Sequence, residues 1–183
     1  MFEEASHGDL QRYLDDPNSL IDNELRLKWC RQTAEAICYI HEKGVIHSDL
    51  RPDNFLVDAN MDLRLCDFGG STFGELSGET LPDAGFFDPR DPWVTTVATD
   101  IFSLGSVMYT IMVGHLPHGS PGSYMFKSLK EKSSYEARVD RLFSSNTWPN
   151  VDHIEGGKVM LGCWTKEYKT ARAVLSAYQA LGL

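Results

Sequence analysis

Three side chains with oxygen donors stand close together in the sequence: Asp49, Asn54 and Asp67. Asp49 lies in the run His47-Ser48-Asp49-Leu50-Arg51-Pro52-Asp53-Asn54, where a carboxylate could accept a proton from an attacking hydroxyl. Arg51 could neutralise charge on a transferring phosphoryl group. The amide oxygen of Asn54 and the carboxylate of Asp67 form a pair of hard ligands. Such a pair suits Mg²⁺, which often takes one or two protein ligands and fills its remaining positions with phosphate oxygens and water.

For that pair to act, Asn54 and Asp67 must meet. Between them lie two short apolar runs, Phe55-Leu56-Val57 and Leu63-Arg64-Leu65-Cys66, flanking the turn-rich Asp58-Ala59-Asn60-Met61-Asp62. This reads as a β-hairpin. Its open end sets Asn54 and Asp67 side by side, about 5 Å apart. Upstream, the residues through His7-Gly8-Asp9-Leu10 read as a connector entering a short helix that ends near Asp15-Asp16-Pro17. From Asn23 to Lys43, Leu25, Trp29, Thr33, Ala36, Ile37 and Ile40 recur at helical spacing, with Asp22 or Asn23 as cap and Gly44 as stop. Gly69 to Pro92 is a long loop rich in Gly, Ser, Thr, Asp and Pro. Thr99 to Val113 is apolar nearly all round, the pattern of a helix buried in the middle of a domain. The remainder is loop and helix, with a last helix from Thr170 to Leu181. The expected fold is mainly α with a small β-hairpin.

A chain of 183 residues, 42% hydrophobic and 23% charged, suits one globular domain. Its 17 Lys and Arg against 26 Asp and Glu give a net charge of -9, which argues against nucleic acid or an anionic membrane as partner. Cys30, Cys38, Cys66 and Cys163 form no C-x-x-C pair, so structural zinc and a disulfide framework are not expected, and buried thiols in a reducing compartment are. Met1-Phe2-Glu3-Glu4 carries neither a basic region nor an apolar run, so no signal peptide is visible. The apolar stretch from Ile101 to Val113 is shorter than the roughly 20 residues that span a bilayer. A soluble cytoplasmic protein is the expectation.

The run from His47 to Asn54, H-S-D-L-R-P-D-N, resembles the catalytic loop of eukaryotic-type protein kinases, H-R-D-L-K-P-E-N. Asp67-Phe68-Gly69 matches that family's metal-binding D-F-G. Thr99-Asp100-Ile101-Phe102-Ser103-Leu104-Gly105 is similar to the family's buried helix, whose aspartate supports the catalytic loop. Gly114-His115-Leu116-Pro117 fits the turn after it, and Cys163-Trp164 resembles a C-W pair of tyrosine-kinase-like members. The resemblance covers residues from about 8 to the end. It implies a protein-kinase-like C-terminal lobe: 1–10 the inter-lobe connector, 47–54 the catalytic loop, 67–92 the activation segment, 99–113 the buried central helix. It further implies ATP and Mg²⁺ as cofactors, with Asp49 as catalytic base and Asn54 and Asp67 as metal ligands. Arg51 stands where Ser/Thr kinases carry a lysine near the γ-phosphate, and Leu56 where a side chain packs beneath adenine. His47 and Phe68 match members of an internal apolar column that does no chemistry.

Simpler roles stay open: Asp49 and Asn54 as loop residues satisfying backbone amides, Asp67 as a turn cap, Asp100 as a helix N-terminal aspartate, Arg51 as a solvated charge and Trp164 as core packing. The sequence also departs from the family pattern. It holds no G-x-G-x-x-G strand pair, no V-A-I-K-like lysine and no helix glutamate to pair with one, so the N-terminal β-rich lobe is read as absent and the chain as truncated. Ser48 replaces an arginine that pairs with phosphorylated activation loops, so Ser71, Thr72, Ser77 and Thr80 read as solvated. Asp88-Pro89-Arg90 replaces A-P-E, whose glutamate normally pairs with an arginine near the last helix. The last segment offers Lys169, Ala171 and Arg172, and a slip of one position would give Asp91 the acidic role. Asp83 replaces a threonine that helps hold the catalytic aspartate and lysine.

Three functions compete. The first is a protein kinase acting on Ser/Thr hydroxyls, inactive in this truncated form. The second is a non-catalytic, pseudokinase-like module whose half-cleft exposes Leu56 and neighbouring apolar surface to a protein substrate or partner. The third, a small-molecule phosphotransferase of the aminoglycoside or choline kinase type, is disfavoured by the full D-F-G, the buried-helix motif and C-W.

Overall fold

Asp9 opens the first helix, α1 (Leu10–Asp15), by accepting the Arg12 amide at 2.8 Å. In this computed structural model, residues 5–78, 80–120 and 126–182 are described. The expectations for residues 1–4 therefore lie outside the described residues. Asp22 caps α2 (Asn23–Glu42) through the Leu25 amide at 2.8 Å. The chain then turns at Gly44, whose φ of 75° favours glycine.

Two antiparallel two-stranded sheets follow, where the sequence shows one. β2 (Phe55–Val57) and β3 (Leu63–Leu65) form the expected hairpin, in register Phe55↔Leu65 and Val57↔Leu63. The Asp58 carboxylate shapes its turn by accepting the amides of Asn60 and Asp62. The second sheet pairs β1 (Val45–Ile46) with β4 (Thr72–Phe73), inside the stretch read as loop. Two-residue strands are too short to show alternation, so only the long-range pairing reveals them.

α3 (Val97–Val113) forms the centre. Thr96 and Thr99 make a reciprocal capping box at its start, two residues before the expected boundary. Its side chains from Thr99 to Ile111 are buried, and α2, α5 (Gly157–Trp164) and α6 (Ala171–Gln179) pack around it. Gly105 allows the close approach of α5, because a Cβ there would lie 2.7 Å from Cys163 Cβ. Trp164 is core, its indole N–H donating to Ser106 Oγ at 2.9 Å. α4 (Leu129–Ser144) joins these helices, in the stretch that the sequence reads only as loop and helix. Each large apolar side chain buried in this core contributes about 1.5–3 kcal/mol, so α3 is the platform on which the loops are hung.

Among the described residues no helix is long and apolar enough to cross a membrane. The four cysteines are unpaired, and burial pushes the Cys30 thiol up to about 12, which leaves it an inert packing group.

Candidate active site

The loop from His47 to Asn54 is suspended from α3 by one side chain. The fully buried Asp100 carboxylate accepts the His47 amide at 2.8 Å and the Ser48 amide at 2.9 Å. His41 of α2 donates its Nε2 proton to the same carboxylate at 2.8 Å. These charge-assisted bonds hold Ser48 in the left-handed region, with φ of 75°, a conformation a serine rarely adopts. Below it, Leu50 and Pro52 are buried and pin the loop to the core. Asp100 thus does more than start a helix: it fixes the backbone that carries Asp49.

His47 links the loop to the hairpin. Its Nε2 donates to the Cys66 carbonyl at 2.9 Å, and its ring lies 5.1 Å from that of Phe68. The hairpin ladder continues one step beyond β2 and β3, with the Cys66 amide donating to the Asn54 carbonyl at 2.9 Å. Asp67 follows directly, in the left-handed region at φ 58°, and caps a single 3₁₀ turn, Phe68–Gly70. The structure therefore brings Asn54 and Asp67 to one end of the hairpin, as the sequence predicts.

Asn54 is buried, and its amide nitrogen donates to the Asp49 carbonyl at 2.6 Å and to Asp49 Oδ2 at 3.3 Å. With the nitrogen so committed, the amide oxygen is the Asn54 side-chain atom that a hard cation would take. Among the described residues no group of three or more His, Cys, Asp and Glu could hold a metal. A cation here would draw on the Asn54 amide oxygen, the Asp67 carboxylate, substrate phosphate and water.

Burial pushes the Asp49 carboxyl above the usual carboxylate range. Arg51, the Asn54 hydrogen bond and His47 act against that rise, and Asp83 adds to it. A raised carboxyl is the stronger base, which suits proton abstraction. Arg51 is not a solvated charge. Its Nη1 donates to Asp83 Oδ2 at 3.1 Å, and its Nε lies 3.8 Å from Asp49 and 3.7 Å from Asp53. A cavity of about 160 Å³ opens beside it, with Phe86, Leu116, Phe126 and Tyr135 among its lining residues.

Several expectations need correction. Leu56 is half-buried, because the connector runs alongside β2 and bridges it at Asp9. In the segment after Asp67, Phe68, Phe73 and Leu76 are exposed instead, at 46%, 55% and 72%. Ser71 and Thr72 are not simply solvated. Ser71 Oγ donates to the His47 carbonyl at 3.2 Å, and Thr72 Oγ1 accepts the Gly78 amide at 3.3 Å. At the far end of the segment, buried Asp88 receives Arg90 through Nε and Nη2, each at 2.7 Å, and Lys166 at 3.0 Å. Lys166 also reaches Asp91, while Arg172 pairs with Glu42. The acidic role falls to Asp88 with Asp91, and the cation from α5 onward is Lys166, not Lys169 or Arg172. Sequence reasoning also missed His41, whose partner Asp100 is 59 residues away.

A profile of the protein kinase domain family matches residues 1–177. Serine/threonine-protein kinase SIK1 of Rattus norvegicus is 32% identical over 138 residues, covering 65% of this chain and 16% of its own length. CBL-interacting protein kinase 24 of Oryza sativa subsp. japonica is 33% identical over 124 residues, covering 64% and 27%. Serine/threonine-protein kinase ppk21 of Schizosaccharomyces pombe is 27% identical over 168 residues, covering 84% and 30%. The chain thus spans less than a third of the length of these relatives. With the profile matched over nearly the whole sequence, the chain belongs to the eukaryotic-type protein kinase domain family.

Proposed function

We propose that these residues form the catalytic-loop half of a protein kinase that transfers the ATP γ-phosphate to Ser or Thr hydroxyls of proteins. The observation that carries this reading is the joining of Asp49, Asn54 and the Asp67 hairpin end by direct bonds, on a loop held by buried Asp100. Asp49 takes the proton of the incoming hydroxyl, and the Asn54 amide bond orients its carboxylate for that step. Asn54 and Asp67 would hold Mg²⁺, which when bound neutralises phosphate charge. Arg51 presents a guanidinium to the transferring phosphoryl group. Leu56 would support the adenine.

The 183 residues include no Gly-rich strand pair and no lysine strand to cover the phosphates, so the isolated chain is proposed to be inactive. The four unpaired cysteines support a reducing compartment, the cytoplasm, as its location. A second reading, a non-catalytic interaction module, is supported by the exposed Phe68, Phe73 and Leu76 in the segment after Asp67, where a protein partner could cover them.

Thermal melting of the purified chain with Mg²⁺-ATP separates the two. The catalytic reading predicts a rise in Tm that disappears in Asp67→Asn. No stabilisation of the folded wild type would favour the interaction module.

A further inference from the structure

Charged side chains alternate in sign around the cavity beside Asp49. Arg51 lies between Asp53 and Asp83, and Lys132 of α4 lies between Asp83 and Glu136. Along this rim Arg51 Nη1 to Asp83 Oδ2, at 3.1 Å, is a hydrogen bond. The other separations are 3.7 Å to Asp53, 3.9 Å from Lys132 to Asp83 and 3.7 Å from Lys132 to Glu136, beyond bonding reach. Arg51 Nε is buried and makes no hydrogen bond. Its approach to Asp49 stops at 3.8 Å, although a guanidinium two residues from a carboxylate can close into a bonded fork. Asp49 Oδ2 is left to the Asn54 amide at 3.3 Å.

We propose that Asp83 is a positioning residue, whose carboxylate holds the Arg51 guanidinium beside the reaction centre and out of bonding contact with Asp49. The inference rests on the roles given to Asp49 and Arg51 above. A carboxylate suits this task where a hydroxyl would not, because the planar guanidinium offers several charged donors and a single neutral acceptor holds it loosely. Asp83 enters from the activation segment and has its second oxygen facing Lys132, so it connects that segment, the catalytic loop and α4. Lysine at position 51 would concentrate the charge at one mobile point and lose the bonded orientation.

The test is the side-chain NMR spectrum of Arg51 in the ¹⁵N-labelled chain, assigned by its loss in Arg51→Lys. A guanidinium held by Asp83 gives separate Nη signals in the wild type. Asp83→Asn merges them, whereas Asp83→Glu and Asp53→Asn leave them separate. Merged signals in the folded wild type, or release by Asp53→Asn instead of Asp83→Asn, overturn the proposal. Backbone amide spectra report whether each variant is folded, and Asp83→Ser serves as the second release variant should Asp83→Asn not fold. In a longer form of the protein that phosphorylates substrate, Asp83→Asn lowers kcat by about 10–100-fold with KM little changed, and Asp83→Glu recovers part of the loss. A change confined to KM contradicts the positioning role. The NMR measurement needs no catalysis, so an inactive protein would sink the functional reading without deciding this one.

Discussion

Asp100 and Asp83 both hold the loop from His47 to Asn54, from opposite environments. Asp100 is fully buried on the central helix and takes backbone amides, so it sets where the chain runs. Asp83 is half-exposed on the loop that follows β4 and takes a side chain, so it sets where a charge points. Water decides the difference in strength. A buried carboxylate whose partners lose it leaves them unsatisfied in a dry interior, while an exposed pair exchanges its bonds with solvent at little cost. The backbone geometry of the site is thus a property of the core, and the placement of Arg51 is an adjustable property of the rim.

The largest expected effect is at the buried end. Asp100→Ala strips acceptors from the His47 and Ser48 amides and from His41, and should destabilise the chain by about 3–5 kcal/mol. Urea unfolding measures it. A loss under about 1 kcal/mol would mean that burial around Asp100 is not what shapes the loop.

Asp88 sharpens the contrast, being buried like Asp100 but paired with side-chain cations like Asp83. Asp88→Asn should cost about 1–3 kcal/mol at neutral pH, by weakening the Arg90 and Lys166 contacts. The effect should depend on pH. Burial pushes the Asp88 carboxyl up, but the hydrogen bonds from Arg90 and Lys166 outweigh it and hold the group below its ordinary range. A depressed carboxyl stabilises the fold above its unfolded value, near 3.9, and that stabilisation is lost as pH falls through the folded value. Melting curves should show the full difference between wild type and variant at pH 6, shrinking below about pH 4. A difference that persists unchanged into strong acid would assign Asp88 a packing role.

At the exposed end, Asp83→Asn should change stability by no more than about 1 kcal/mol, and high salt should reduce the difference. Denaturant titrations at two ionic strengths check this. A loss as large as that of Asp100→Ala would erase the distinction between the two carboxylates.

How much of this was legible depended on range. The cap at Asp22, the turn at Gly44 and the β2–β3 hairpin announce themselves within a few residues, and so does the meeting of Asn54 with the end of β3. The contacts that complete the site are long-range pairings. β1 with β4, His41 with Asp100 and Lys166 with Asp88 join segments whose own sequences carry no sign of the partner. In the sequence, Asp83 stands out only as a departure from the family pattern. Its bond to Arg51 joins two loops 32 residues apart and is visible only in the folded chain.

The most direct test of the central claim is a phosphotransfer assay on these 183 residues joined to a phosphate-covering N-terminal lobe, because the chain alone is proposed to be inactive. Wild type and Asp49→Asn would be incubated with Mg²⁺ and γ-labelled ATP and a protein mixture, followed by phosphoamino-acid analysis. The account predicts labelled phosphoserine and phosphothreonine, reduced by about 100-fold or more in the variant. Equal labelling by both proteins, or no labelling by folded wild type that binds Mg²⁺-ATP, would contradict it.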